Sequence, residues 1–397
     1  MATEPTLPPE EITLPAAWSK LVPAAAILGV ALLAASIALG DGHQLPFSYL
    51  TAFVYWLTVA LGGLFFVLVH YIARSGWSVV VRRLAEHVAA TVPLFALLFV
   101  PIWLWRHELF HWTHAETVAG DPLLRHKAAY LNDGGFLLRA IVFFAVWTAV
   151  AWYYRRQSAQ QDTSGDRTIT RRLQKLGPLS AILFALTLAF ASYDWVMSLE
   201  PHWFSTMFGP YVFAGSAVAI YSFLILLVLA LQRQGPMRNL VTGEHYHDLG
   251  KMLFGFVVFW AYLGFSQFML IWYANIPEET VWFNMRWHHG WQYVSIFLAA
   301  AHFFVPFFWL IGQPAKRSRW RLTAAAVWMM LMHWVDVYWM VMPTLHHEAF
   351  RISVLDVTCW LGVGALFLAL LARLMAGPAL VPVRDPRLAE SLAFENV

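Results

Sequence analysis

SYDWVMSLEPHWFSTMFGPYVFAG, residues 192–215, sets two carboxylates, a histidine and two prolines between long apolar runs. Pro201 directly after Glu200 disfavours continued helix, so the stretch reads as a turn. Each flank is long enough to cross a bilayer, which takes roughly 20 mainly apolar residues as a helix. Read outward from this turn, the chain holds ten such segments: 20–40, 47–73, 83–105, 134–154, 177–199, 206–232, 252–273, 289–312, 321–342 and 353–375. They far exceed the roughly 9 to 11 alternating residues of a barrel strand. The expected fold is therefore an all-α polytopic membrane protein with about ten transmembrane helices. Its organisation is an N-terminal tail 1–19, helices one to four over 20–154, a polar linker 155–176, helices five to ten over 177–375, and a C-terminal tail 376–397.

Composition agrees. Of 397 residues 60% are hydrophobic and 12% charged, with 21 Trp, which places the chain outside the soluble globular range. A net charge of +3 with Lys and Arg confined to short loops gives no basic stripe, so nucleic acid is excluded as a partner. A single cysteine, Cys359, removes iron–sulfur clusters, structural zinc and covalently attached c-type haem, all of which need grouped thiolates. The start MATEPTLPPEEITLPAAWSK is acidic and Pro-rich, without a basic start or cleavage site, so the first apolar segment is expected to remain as a helix.

Positive charge sets orientation. Loops after the second, fourth, sixth and eighth segments carry Arg74, Arg82, Arg83, Arg155, Arg156, Arg167, Arg171, Arg172, Lys175, Arg233, Arg238, Lys251, Lys316, Arg317, Arg319 and Arg321, against Arg106, Arg125, Lys127, Arg286 and Arg351 on the other side. Both termini are expected in the cytoplasm. QSAQQDTSGD, 157–166, marks a seam between two halves, and the tail from Gly377 reads as a mobile end or a docking strand for a neighbour.

Ionisable and amide side chains within the spans are the candidate functional residues: Arg139, Asp194, Gln267, His302, His333, Asp336 and Asp356, with Glu200 and His202 at the interface. Each intramembrane charge is expensive, at least about 2.5 to 3.5 kcal/mol on insertion scales, so several together should face one another or a wet cavity. The expectation is a polar path open to the outer side, the cytoplasmic half being poorer, with Glu86, His87 and His70 near its rim. A structural clamp, such as Arg139 with Asp194, is the competing reading for any one of them. His333 and Asp336 are three apart on one helix face, where a carboxylate suits an imidazole to take and pass a proton; alternatively Asp336 only fixes the tautomer. His288 and His302 are fourteen apart, as are His333 and His347, a spacing that two b-type haems would need. His288 and His347 belong to interfacial HH pairs, however, and the sequence disfavours haem b.

SYDWVMSLEPHWFSTMFGPYVFAG together with LGKMLFGFVVFWAYLGFSQFMLIWYANIPEET, 249–280, resembles the NrfD-like, quinone-associated membrane subunits of bacterial alternative complex III, in particular the second of its two large ten-helix subunits. The similarity covers about residues 170–345, and the rest by helix count alone. It implies eight helices in two four-helix bundles with two peripheral helices, in a bacterial inner (cytoplasmic) membrane. It implies a subunit of a quinol:cytochrome c or electron-acceptor oxidoreductase in a respiratory chain. Partners would be a second NrfD-like subunit, an iron–sulfur subunit, c-haem subunits, a terminal oxidase and lipids. Within it the chain would supply a proton path, a quinol or quinone pocket, or both, with no metal centre and no covalently bound cofactor; in the family the first of the two large subunits is the better-supported quinol site. Asp194, Glu200 and His202 fall on the motif, and the aromatic and Met residues of FSQFMLIWY suit a pocket wall, although such residues more often pack helices. The alternatives are a cofactor-free structural subunit holding the redox partners, or a secondary transporter, for which no pair of matched broken helices is visible.

Overall fold

The computed structural model describes residues 7–40 and 42–396; the first six residues of the expected N-terminal tail lie outside them. Ten helices among the described residues are long and apolar enough to cross a membrane: α1 (Ala16–Leu39), α2 (Gln44–Ile72), α3 (Val79–Leu104), α4 (Asp133–Ser164), α5 (Arg167–Leu199), α6 (Phe208–Arg233), α7 (Gly243–Ala274), α8 (Trp291–Leu310), α9 (Arg319–Thr344) and α10 (Val354–Met375). The fold is an all-α polytopic membrane protein, with no strand among the described residues. The helices run further than hydropathy suggests because their ends are polar but still good helix formers.

Helices α2 to α5 pack as one four-helix group and α6 to α9 as a second, with α10 laid along α2 and α1 along α10. The centre is the contact of α2 with α6. In each, 89% of the most apolar stretch is buried, against 11% in α1, whose outer side is left for lipid. Gly62 permits this closeness: a Cβ there would lie 2.6 Å from the Ser216 carbonyl oxygen. The Ser216 hydroxyl donates to the Thr58 carbonyl at 2.6 Å, tying the two helices.

Three expectations need correction. The 155–176 linker is helical apart from Gly165 and Asp166, because its Gln and Ala residues sustain a helix until Gly165 turns at φ 65°. The seam between the two groups accordingly falls between α5 and α6, at the 192–215 stretch itself. The tail from Gly377 folds back onto its own chain. Leu380, Val381, Leu388 and Ser391 are buried; Leu380 N–H donates to the Ile12 carbonyl at 2.7 Å and the Ser391 hydroxyl to the Trp77 carbonyl at 2.7 Å.

Beneath this tail lies the third correction: the half of the molecule that bears the termini is not poor in buried charge. Arg83 pairs with Glu86 at 2.9 Å and with Asp162 at 2.7 Å, and Arg82 pairs with Asp385 from the tail and with Glu86 at 3.6 Å. Arg82 also stacks over Tyr71, 4.2 Å from the ring centroid. Asp385 and Asp162 come from segments distant in sequence, so Arg82 and Arg83 look like loop anchors until the chain folds. Removing one partner from a buried network strands the other charge, a loss of roughly 3 to 5 kcal/mol. Asp385→Ala should therefore lower the thermal unfolding midpoint of the detergent-solubilised protein by several degrees; an unchanged midpoint would show that the tail is not a structural latch.

Candidate functional site: a buried carboxylate beside a lateral cavity

The nine candidate residues do not form one cluster. Asp194 is fully buried and takes an ion pair from Arg139 Nε at 2.7 Å, while Arg139 Nη1 donates to the Tyr130 carbonyl at 2.9 Å and its guanidinium stacks on the Tyr130 ring at 3.8 Å. This is a clamp between α4 and α5, inside the first bundle. Glu200 and His202 sit in the turn after α5, where His202 Nε2 meets Asp121 at 2.5 Å and Lys127 Nζ donates to the Pro201 carbonyl at 2.6 Å. The His202 hydrogen bond holds the Asp121 carboxyl below its ordinary range. These contacts pin the loop 105–133 onto the 192–215 turn.

Asp356 lies in the first turn of α10, where its Oδ2 accepts the Ser353 N–H at 2.7 Å as half of a capping box. Its other oxygen accepts from Ser48 at 2.5 Å and Gln44 at 3.1 Å. That carboxylate is consumed in capping the start of α10 and in tying it to α2 through Ser48 and Gln44.

The second bundle differs. Asp336, on α9 and 1% exposed, receives Tyr211 Oη from α6 on Oδ1 at 2.5 Å and Trp260 Nε1 from α7 on Oδ2 at 3.1 Å. No cation pairs with it among the described residues. His333 shares Nε2 with the Thr58 hydroxyl at 2.8 Å, and its Nδ1 has no hydrogen-bond partner among the described residues. Gly215 fits the remaining space: a Cβ there would come within 3.3 Å of His333 Cε1 and 3.5 Å of Asp336 Oδ2. His302 lies flat on Trp260, ring centroids 3.8 Å apart, and neither of its ring nitrogens finds a partner among the described residues. The helix around His302 is widened into a π-turn, Ala299–Phe304. Pro306 explains it, because its ring pushes against the carbonyl four residues back, that of His302. The structure thus brings together His302, His333 and Asp336, and adds Tyr211, Trp260 and Thr58.

Sequence reading missed Tyr211 and Trp260. Tyr211 follows Gly209 and Pro210 at the start of α6, and Trp260 stands in an aromatic run, where both look like packing residues. Of the four histidines at fourteen-residue spacing, His288 and His347 are exposed loop residues, while His302 is covered by an indole and His333 is engaged by Thr58.

A cavity of about 980 Å³ opens between α7 and α8. Beyond Ala299 the later half of α8 packs on α7, whereas its first half packs on α9, and the wedge between them is bridged by the short helix Pro277–Met285. Its rim carries Tyr262 and Phe265, both more than half exposed, on the outer surface of the bundle. Its inner wall includes Tyr211 and Trp260, the two donors to Asp336. Its polar lining comprises Gln267, Arg286 and Ser295 together with Asn275, Thr280 and Asn284. Gln267 accepts the Ser205 hydroxyl at 3.2 Å on Oε1, leaving its amide nitrogen without a hydrogen-bond partner among the described residues. Arg286 is 1% exposed and donates to the carbonyls of Trp282, Trp339 and Met340, at 2.8–3.0 Å, with no ion pair among the described residues. Burial works against that charge, offset in part by Glu200. Ser295 accepts Trp339 Nε1 at 2.8 Å. Trp203, from the 192–215 stretch, stacks behind the lining residue Trp282, ring centroids 4.7 Å apart.

No protein-family model matches the chain, and no curated protein matches it. The site's chemistry is therefore read from its own geometry.

A clamp and a reactive cluster respond differently to substitution. Arg139→Leu alone should destabilise the protein by roughly 3 to 5 kcal/mol by leaving Asp194 unpaired, and adding Asp194→Leu should recover much of that loss. Additive losses in thermal unfolding would refute the clamp.

Proposed function

We propose that this chain is a membrane subunit of a quinol-oxidising respiratory complex, binding a quinol in the cavity between α7 and α8 and passing its proton toward Asp336. The observation that carries the reading is that the two hydrogen-bond donors of an otherwise uncompensated buried carboxylate are also walls of an apolar, laterally open cavity. A quinol is a membrane-dissolved molecule with a flat aromatic head, a long apolar tail and two acidic hydroxyls. The aromatic lining suits the head, the lateral mouth suits the tail, and a cavity of this size is typical of small-molecule sites. The free amide nitrogen of Gln267 and the field of Arg286 favour an oxygen that gains negative charge as its proton leaves.

Oxidation of a quinol releases two protons and two electrons. This chain's contribution is to the protons: Asp336 lies within a shell of neutral donors and imidazoles, which leaves it free to change protonation in a way that Asp194, locked to Arg139, is not. The electrons pass to metal centres on partner subunits of the complex, consistent with the resemblance to NrfD-like subunits of alternative complex III. The excess of Arg and Lys on the face bearing both termini supports placing that face in the cytoplasm of a bacterial inner membrane. A scaffold role for the first bundle is compatible with this reading and is favoured by its paired charges, Arg139 with Asp194 and Arg83 with Glu86.

Asp336→Asn keeps the shape and removes the proton acceptor. In purified complex it should lower quinol oxidation by at least about tenfold while subunit composition is unchanged. Asp194→Asn, in the clamp, should change assembly or stability more than turnover per assembled complex. Full turnover in Asp336→Asn would defeat the proposal.

A further inference from the structure

We infer that Tyr211 is the proton shuttle between the cavity and Asp336, a role that rests on the functional reading above. Asp336 is 1% exposed and is not itself part of the cavity wall. A proton leaving a ligand in the cavity must therefore cross one of the side chains that both line the cavity and touch the carboxylate. There are two among the described residues, Tyr211 and Trp260. An indole N–H can only donate; it has no lone pair in the ring plane with which to accept an incoming proton. A phenol both donates and accepts. Tyr211 is thus the group of the pair able to pass a proton, and at 2.5 Å its hydroxyl is already in hydrogen-bond contact with Oδ1 of the acceptor.

The surroundings hold the ring in place for this. Gly264 on α7 faces it, and a Cβ there would come within 3.2 Å of Tyr211 Cε2. The Trp260 ring lies against it with centroids 5.5 Å apart. Trp260 contributes in another way, since its donation to Oδ2 fixes the carboxyl plane so that Oδ1 stays on Tyr211.

The step balances without an oxidant. The Tyr211 O–H bond breaks and its proton forms a new O–H bond on Asp336 Oδ1. The ligand's hydroxyl O–H breaks and its proton re-forms the Tyr211 hydroxyl. The electron pair stays on the ligand oxygen, near Gln267 and Arg286, and Tyr211 ends as it began.

The two donors give a matched pair of variants, Tyr211→Phe and Trp260→Phe, each removing one hydrogen bond to Asp336 and retaining an aromatic ring. Both would be made in the full complex, with menadiol as donor, menadione binding followed by quenching of tryptophan fluorescence, and the protonated-carboxyl band followed by reduced-minus-oxidised infrared spectroscopy. The expected result is that both variants bind menadione, while Tyr211→Phe lowers kcat by about 10²-fold and abolishes the carboxyl band and Trp260→Phe lowers kcat by less than about tenfold and keeps the band. Equal losses in the two variants, or a normal band in Tyr211→Phe, would overturn the shuttle and leave both rings as hydrogen-bond donors. A wild-type complex that binds no menadione, or an Asp336→Asn complex with full turnover, would instead overturn the functional reading, and the shuttle with it.

Discussion

The second bundle is organised by the need to keep the Asp336 carboxylate in a protein interior without a cation beside it. An unpaired carboxylate so placed is tolerated only if neutral donors satisfy its oxygens or if it carries a proton for part of its working cycle. Tyr211 and Trp260 supply one donor to each oxygen. That requirement brings α6, α7 and α9 together at one depth, places Gly215 where any side chain would crowd His333 and Asp336, and sets Trp260 flat against His302. The widened turn of α8 and the lateral cavity lie immediately behind these rings.

The contrast with the other buried acids is chemical. Asp194 faces a guanidinium, Asp356 is spent on the backbone at the start of α10, and Glu86 sits between two arginines. Each is tied to a fixed positive charge or to backbone donors that favour the ionised form, so each is suited to holding helices together. Asp336 and Asp356 both accept only from neutral donors, but the donors to Asp336, Tyr211 and Trp260, also line the cavity. One chain can therefore combine a first bundle latched at its terminal face by Asp385 on Arg82 with a second bundle built around a carboxylate held by neutral donors beside a cavity.

Much of this was legible in the sequence. Long apolar runs broken by charged turns defined ten helices, and a bilayer crossing leaves little freedom in that reading. His333 and Asp336 were visible as neighbours on one helix face, but no hydrogen bond joins them among the described residues: His333 meets Thr58 and Asp336 meets Tyr211 and Trp260, whereas Arg139 and Asp194 do pair as intramembrane charges should. Tyr211 and Trp260 were not visible, since nothing distinguishes an aromatic residue that donates to a carboxylate from one that packs until the carboxylate's position is known. The tail was misread for a related reason: its Asp385 gains meaning only beside Arg82, some three hundred residues earlier. The seam was misplaced because polar composition suggested a linker where Gln and Ala in fact continue a helix, while the true division lies at the turn containing Pro201.

The central claim is that the cavity between α7 and α8 receives a quinol whose hydroxyl meets the wall formed by Tyr211 and Trp260. Photolabelling of the membrane-embedded protein with an azido-quinone, followed by peptide mapping, tests it most directly. The account predicts label on residues 258–272 and 295–304, removed by excess unlabelled quinone. Label confined to α4 and α5, or label that unlabelled quinone does not displace, would contradict it.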